Sequence, residues 1–300
     1  MSWKAEIMEY RQFLRIEKGL SENTLSGYLH DVERYGGTMA GKFRLESATT
    51  VQSSHIREFL HILSSEFRLN SSSLSRNISA IKSFHGFLHA EEIARHNPSE
   101  MIEVPKQKRK LPVVLSIEEI DRMFAAIDHS TGTGTRNRAM LELLYSSGLR
   151  VSELVNLEMN RIFREEGFVK VTGKGFKERM VPLGGSAISQ INIYLDHYRR
   201  QLKAGKGEED ILFLNSRGRR LSRNMVFMIV RDLAIVAGIE KTIGPHTFRH
   251  SFATHLVEGG ADLKAVQDML GHESITTTEI YLHMDREYLR EVHRTFHPRG

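Results

Sequence analysis

Apolar residues in the first hundred positions recur at helical spacing: Ile7, Tyr10, Phe13 and Leu14, then Leu25, Tyr28, Leu29 and Val32, and later Leu74, Ile78, Ile81, Phe84 and Leu88. A period near 3.6 predicts amphipathic helices packed on a shared core, here a bundle of four or so. Ser21 and Ser54 stand where N-caps are expected, Ser71-Ser-Ser reads as a turn into the last long helix, and Asn97-Pro98 reads as that helix's stop. Further on, Ser116-Ile-Glu-Glu119 has the form of a capping box opening a helix through Phe124. Arg136 to Tyr145 reads as a buried helix running toward Gly148, and Arg150 opens another. The pattern then changes period. Phe168-Val-Lys-Val-Thr and Glu178-Arg-Met-Val-Pro-Leu183 alternate as strands do, joined through Gly173-Lys-Gly-Phe-Lys. Helical periodicity returns from Ala187, broken by Gly205 to Gly207 and by the basic loop Ser216-Arg-Gly-Arg-Arg220, and Asp262 to Leu270 reads as a helix stopped by Gly271. There is no internal repeat and no low-complexity tract.

Between the two helical stretches, residues 104–112 carry two prolines and four cations, Lys106, Lys108, Arg109 and Lys110, without apolar periodicity. This reads as a linker between a unit of residues 1–103 and one of residues 113–300. A solvated hinge accounts for its charge as well as a phosphate-crossing strap does. The chain has 300 residues, 40% of them hydrophobic and 26% charged, the composition of a globular protein with room for two cores. Its N-terminus lacks the apolar core of a secretory signal and no run approaches a membrane span, so a cytoplasmic protein is expected. With no cysteine, disulfides and thiolate chemistry are excluded. Net charge is +5, and its distribution says more: residues 1–105 hold 12 Lys and Arg against 13 Asp and Glu, the rest 30 against 24. Attraction to a polyanion would come mostly from the second part.

In Gly244-Pro-His-Thr-Phe-Arg-His-Ser-Phe-Ala-Thr-His255, Pro245 suits a first helical position, and His246 and Arg249 stand three apart on one face. Orphan N–H groups, an imidazole and a guanidinium meet there, a setting suited to phosphate. Taken singly, His246, Arg249, Arg150, His272 and Tyr281 are each explained as well by ordinary structural roles. His246 and His250 also have the i, i+4 spacing of metal ligands, though no Glu follows His246 as a zinc hydrolase pattern requires.

Jointly the pieces are more specific. Gly-Leu-Arg150-Val-Ser-Glu-Leu, Gly-Lys174-Gly-x-Lys-Glu-Arg, His246-x-x-Arg249-His-Ser-Phe-Ala-Thr-His, Leu-Gly-His272 and then Tyr281 follow in an order that resembles the tyrosine recombinases of the phage integrase family, and among them the Xer type. The resemblance runs from Glu-Lys-Gly-Leu-Ser-Glu-Asn-Thr-Leu25 to His-Pro-Arg299. Ser147, Gly244 and Phe248 depart from the usual pattern without removing a functional group.

It implies a mainly α fold: a four-helix, SAM-like core-binding domain, then a mostly α catalytic domain with a small antiparallel sheet, the two forming a C-shaped clamp on DNA. It further implies a site-specific recombinase that joins Tyr281 to a 3′ phosphate, without cofactor or metal. In that chemistry Arg150 and Arg249 clamp the phosphate, His246 takes the tyrosine's proton, and His272 donates to a non-bridging oxygen. The resemblance gives the role of general acid to Lys174, with Lys177 its near rival, and Glu153 orients His246 or an arginine. Lys106, Lys108, Arg109, Lys110, Lys177, Arg179, Arg219 and Arg220 are the expected DNA contacts. Expected partners are a double-stranded target site, a tetramer of like chains alone or with a paralogue, and a DNA translocase of the division machinery; no membrane is expected. Residues 285–296 are expected to dock on a neighbouring subunit, and the expected place of work is the nucleoid, in resolving chromosome or plasmid dimers. Three other classes stand beside it: a metallohydrolase, a DNA-binding architectural protein without catalysis, against which the full set of expected catalytic side chains argues, and a type IB topoisomerase with the same active-site chemistry.

Overall fold

The computed structural model describes residues 2–18, 20, 22–104, 112–173, 177–271 and 286–300. The chain divides into two compact units, Met1–Lys110 and Leu111–Gly300.

The first unit is a helical bundle of α1 (Trp3–Ile16), α2 (Glu22–Gly41), α3 (Ser53–Ser65) and α4 (Ser71–Ala90). The predicted apolar stripes face inward, and Tyr10, Leu14, Val32, Phe59, Ile81, Phe84 and Leu88 are all buried. Aromatic rings fill the centre: Tyr10 meets Phe84 edge-on at 5.2 Å, and Tyr35 meets Phe59 edge-on at 5.1 Å. That offset geometry is the favourable one for ring quadrupoles. Two buried acids are paired. Glu6 accepts from the Ser47 hydroxyl (2.5 Å) and the Ala48 N–H (2.9 Å), and Asp31 receives Arg76 at 2.9 Å.

Three expected boundaries move. The cap of α3 is Gln52 and not Ser54, its backbone N–H donating to Nδ1 of His55 at 3.1 Å. Ser71 to Ser73 form the first turn of α4, because Asn70 Oδ1 accepts the Ser73 N–H at 2.8 Å and caps the helix one residue earlier. That helix ends at Ala90, well before Asn97-Pro98. Two glutamates follow at its negative dipole end, and Glu92 takes a left-handed φ of 57° that turns the chain away. Asn97 instead makes a separate turn, accepting the Ser99 N–H at 3.0 Å. Ser21 lies outside the described residues.

In the second unit, α5 (Ile117–Ala125) carries the predicted capping box: Ser116 Oγ accepts the Glu119 N–H (3.2 Å), and Glu119 Oε2 accepts the Ser116 N–H (2.8 Å). The buried helix α6 (Gly132–Ser147) starts a turn earlier than its apolar pattern, because Thr131 caps it. Five-residue α7 (Val151–Val155) follows. The hairpin strands β2 (Phe168–Thr172) and β3 (Glu178–Pro182) pair antiparallel, with Val169 opposite Val181 and Val171 opposite Arg179. A two-residue strand β1 (Ile162–Phe163), too short to show a period, adds to β2 and makes the sheet three-stranded, in the order β1-β2-β3. Helices α8 (Gly185–His197), α9 (Arg223–Val236), α10 (Pro245–Gly259), α11 (Leu263–Leu270) and α12 (Arg286–Phe296) complete the unit. The architecture is mostly α with one small antiparallel sheet, the expected class.

Within this single chain α12 seats on its own unit, with Leu289, Val292 and His293 buried. None of the helices among the described residues is long and apolar enough to cross a membrane.

Candidate active site

The site grows from the ends of four short elements. Helix α6 stops at Gly148, whose φ of 58° needs glycine and whose missing side chain leaves room for Phe252: a Cβ there would stand 2.5 Å from its ring. Two residues on, Arg150 occupies the N-cap position of α7, so Glu153 one turn later can reach back to it. The Arg150 N–H donates to Glu153 Oε2 (2.9 Å) and its guanidinium to Oε1 (3.0 Å).

Helix α10 begins as predicted, with Gly244 as N-cap and Pro245 at its first position. His246 in its first turn remains exposed, whereas Arg249 one turn on is only 7% exposed. The buried guanidinium is anchored on backbone through two of its N–H groups: it donates to the carbonyl of Gly148 (2.7 Å) and to that of Leu270 (2.7 Å). Arg249 therefore ties the turn before Arg150 to the end of α11. Burial, then the nearby charge of Arg150, pushes its pKa down to about 10, which still leaves it a cation at neutral pH.

Helix α11 is capped by Asp262, which accepts the Ala265 N–H at 3.0 Å, and terminated by Gly271 at φ 65°. Its last carbonyls carry the negative end of the helix dipole and lack intrahelical partners. Three arginines supply them in succession: Arg179 Nε binds Met269 O at 2.9 Å, Arg249 binds Leu270 O at 2.7 Å, and Arg150 binds Gly271 O at 3.3 Å. Arg179 also forks onto Glu153 with two contacts of 2.9 Å. Burial opposes the Glu153 charge, but Arg179, followed by Arg150, outweighs it and holds the carboxyl below its usual range.

His246 stands within electrostatic reach of this cluster. Partial desolvation, then the charges of His250, Arg249 and Arg150, holds its imidazole below the ordinary histidine value. At neutral pH it is uncharged and able to accept a proton.

The structure thus brings together Arg150, Glu153, Arg249 and His246. Glu153 is bonded to arginines, the second of the two roles open to it in the sequence. Lys174, His272 and Tyr281 lie outside the described residues, as do Lys106, Lys108, Arg109 and Lys110. Their described chain neighbours are placed: Gly173, next to Lys174, closes the hairpin by donating to Lys177 O at 2.8 Å, and Gly271 precedes His272. Lys177 and Arg219 are exposed. Arg220 binds Glu208 at 2.8 Å and Asn156 at 2.7 Å on the surface. Arg179, also expected among the DNA contacts, has a side chain only 13% exposed that gives three N–H groups to Glu153 and the Met269 carbonyl. Among the described residues no cluster of three or more His, Asp or Glu is arranged to hold a metal ion.

Guanidiniums beside an imidazole are groups whose chemistry suits an anion such as phosphate. Comparison with known proteins gives the class. Residues 114–287 match the phage integrase family, and residues 7–92 match the N-terminal SAM-like domain of phage integrases. The chain belongs to the phage integrase family and is a site-specific tyrosine recombinase.

Within that family it is similar to the Xer type. It is 49% identical to tyrosine recombinase XerD of Chlorobaculum tepidum, covering 99% of this chain and 98% of that protein. It is 45% identical to tyrosine recombinase XerD of Oceanobacillus iheyensis, covering 98% of each. Among solved structures, XerH recombinase in a post-cleavage complex with a palindromic difH substrate matches at 26% identity and TM-score 0.66, over 89% of this chain and 78% of that one.

Proposed function

We propose that this chain breaks and reseals double-stranded DNA at a specific site through a 3′-phosphate ester of Tyr281. The observation that carries the reading is the convergence of Arg150 and Arg249 on the end of α11, beside a histidine kept neutral. A phosphodiester resists attack because its own charge repels the nucleophile, and that charge shifts onto the non-bridging oxygens in the transition state. Planar guanidiniums with fixed backbone anchors meet this need without reorganising. Tyrosine is protonated at neutral pH, with an ordinary pKa near 10, so its attack needs the proton acceptor that neutral His246 provides. Lys174 protonates the departing 5′ oxygen, and His272 donates to a non-bridging oxygen. One phosphoester replaces another, so the bond energy is kept and a second strand's 5′ hydroxyl reverses the step. Neither ATP nor a metal ion enters this scheme.

Exchange between two duplexes requires four such sites, which makes the working form a tetramer on two DNA sites, of this chain alone or with a paralogue. The unit of residues 1–103 and the cations Lys106, Lys108, Arg109 and Lys110 hold the duplex with the catalytic unit, and Lys177, Arg219 and Arg220 add contacts to it. In the assembly α12 leaves its own unit for a neighbour's. The cellular task is resolution of chromosome or plasmid dimers on the nucleoid, triggered by a DNA translocase of the division machinery.

The test is covalent capture. Protein incubated with genomic fragments, followed by nuclease digestion and sequencing of what stays attached, should return one short DNA site joined through its 3′ phosphate to Tyr281. Tyr281→Phe should trap nothing. Covalent DNA on that variant would overturn the assignment.

A further inference from the structure

Arg179 makes more connections at the site than either arginine expected to bind phosphate. It projects from β3, opposite Val171, and its guanidinium reaches two other elements. Both terminal nitrogens fork onto Glu153 of α7, and Nε binds the Met269 carbonyl at the end of α11. The chain keeps that space open. A Cβ on Gly271 would stand 3.0 Å from Cδ and 3.1 Å from Nε of Arg179. On the hairpin side, Gly173 lies close enough that its Cβ would meet Arg179 Nη1 at 3.5 Å.

The Glu153 carboxylate is fully subscribed. Oε1 accepts from the guanidiniums of Arg150 (3.0 Å) and Arg179 (2.9 Å), while Oε2 accepts from Arg179 (2.9 Å) and from the Arg150 N–H (2.9 Å). Exposure is graded across the set: the side chain of Arg150 is 34% exposed, Arg179 13% and Glu153 4%. Three cations and one anion leave two net charges, and Arg150 is the arginine that opens toward solvent. Without Arg179, Arg150 would face Glu153 as that carboxylate's sole guanidinium partner, and its charge would be spent inside the protein.

We infer that Arg179 is a positioning residue for strand cleavage: it neutralises Glu153 and pins the ends of β3, α7 and α11 together, leaving Arg150 free to hold phosphate. This rests on the reading of Arg150 as a phosphate clamp. In this role Arg179 acts through Glu153 and Arg150.

The experiment uses the full-length protein and a nicked duplex of the site recovered by covalent capture, with cleavage followed in single turnover over a range of protein concentrations. Arg179→Met should lower the saturated cleavage rate by about 30-fold while half-saturation moves by less than about 3-fold. Adding Glu153→Gln removes the charge that Arg179 offsets, so the double variant should cleave at least about 5-fold faster than Arg179→Met alone. Arg179→Lys, which keeps the charge and loses the fork, should fall between wild type and Arg179→Met. Thermal unfolding of each variant separates lost positioning from lost fold; a decrease explained by the unfolded fraction, or by weaker DNA binding alone, overturns the inference. So does a double variant slower than Arg179→Met. An active Arg179→Met beside an inactive Arg150→Ala would remove only the role of Arg179, whereas an active Arg150→Ala would remove the clamp reading beneath it.

Discussion

Two clusters of basic side chains lie wholly or partly buried in the catalytic unit, and they treat charge in opposite ways. At the end of α11, Arg150, Arg179 and Arg249 keep their charge, because Glu153 and consecutive carbonyls supply negative potential. Beneath α12, His255, His293 and His297 give theirs up. The rings of His293 and His297 stack at 4.7 Å and 13°, Nε2 of His293 pairs with the Ser146 carbonyl at 2.7 Å, and Nδ1 of His255 pairs with the Tyr145 hydroxyl at 2.7 Å. Burial above all pushes His293 down to about 4 and His297 to about 2, the latter helped by the charge of His293. Stacked imidazoles without a carboxylate between them pack well only when neutral. The first cluster is thus arranged to act on an anion and the second to seat a helix.

The sharpest way to break this contrast is at Arg249. Truncation to alanine removes the proposed phosphate donor and leaves the Gly148 and Leu270 carbonyls without their partner. Strand cleavage should fall by about 1000-fold or more, at the upper end of what losing one preorganised donor costs. Lysine keeps a charge but cannot span both carbonyls and a phosphate, so Arg249→Lys should still lose roughly 100-fold. Single-turnover formation of the covalent complex measures both. A lysine variant with wild-type rate would show that charge alone, without the backbone anchoring, defines the first cluster.

Acid should separate the clusters next. The folded pKa values of His293 and His297 lie below the roughly 6.5 of an unfolded histidine, so the unfolded chain binds more protons between those limits. Stability from their neutrality is whole above pH 6.5 and is lost as pH falls toward about 4 for His293 and about 2 for His297. Each contributes a slope of ~1.4 kcal/mol per pH unit in that window. Glu153 is held low and the arginines stay charged, so the first cluster adds little slope there. Denaturant unfolding at pH 7, 6 and 5 should show the loss, and His297→Phe should reduce the slope by about 1.4 kcal/mol per unit. An unchanged slope in that variant would mean that His297 is not the proton-excluding group.

The two clusters were not equally legible in the sequence. Arg150, His246 and Arg249 stood out because their motifs occur together in one order and because Pro245 and Gly148 mark the helix ends that hold them. The bundle stripes were equally plain, since those through Tyr10, Val32 and Phe84 are set by burial alone. The sequence places Arg179 among the DNA contacts and does not show its partners: a strand's alternation says which face a residue is on, not what lies over that face. The covering element is α11, ninety residues away, and no local pattern reports it. The histidine seat was hidden for the same reason, because it joins α6, α10 and α12. Helix ends moved where a polar side chain outside the apolar period, such as Asn70 or Thr131, made the first hydrogen bond.

The smallest expected effect gives the cleanest comparison, because a helix-ending glycine stands beside each cluster. Gly260 ends α10 at φ 106° and Gly271 ends α11 at φ 65°, so alanine at either position adopts a left-handed conformation at a cost of roughly 1–2 kcal/mol. Their surroundings differ. A Cβ on Gly260 would meet the ring of Phe296 at 3.4 Å, an ordinary contact, whereas on Gly271 it would press on Arg179 at 3.0 Å. Both Gly→Ala proteins should therefore unfold at similarly reduced denaturant concentration. Only Gly271→Ala should also slow cleavage, by about 10-fold at saturating DNA, since an ångström-scale misplacement near a reacting group is enough for such a loss. Equal cleavage rates in the two variants would mean that the packing of Arg179 against Gly271 has no bearing on the reaction.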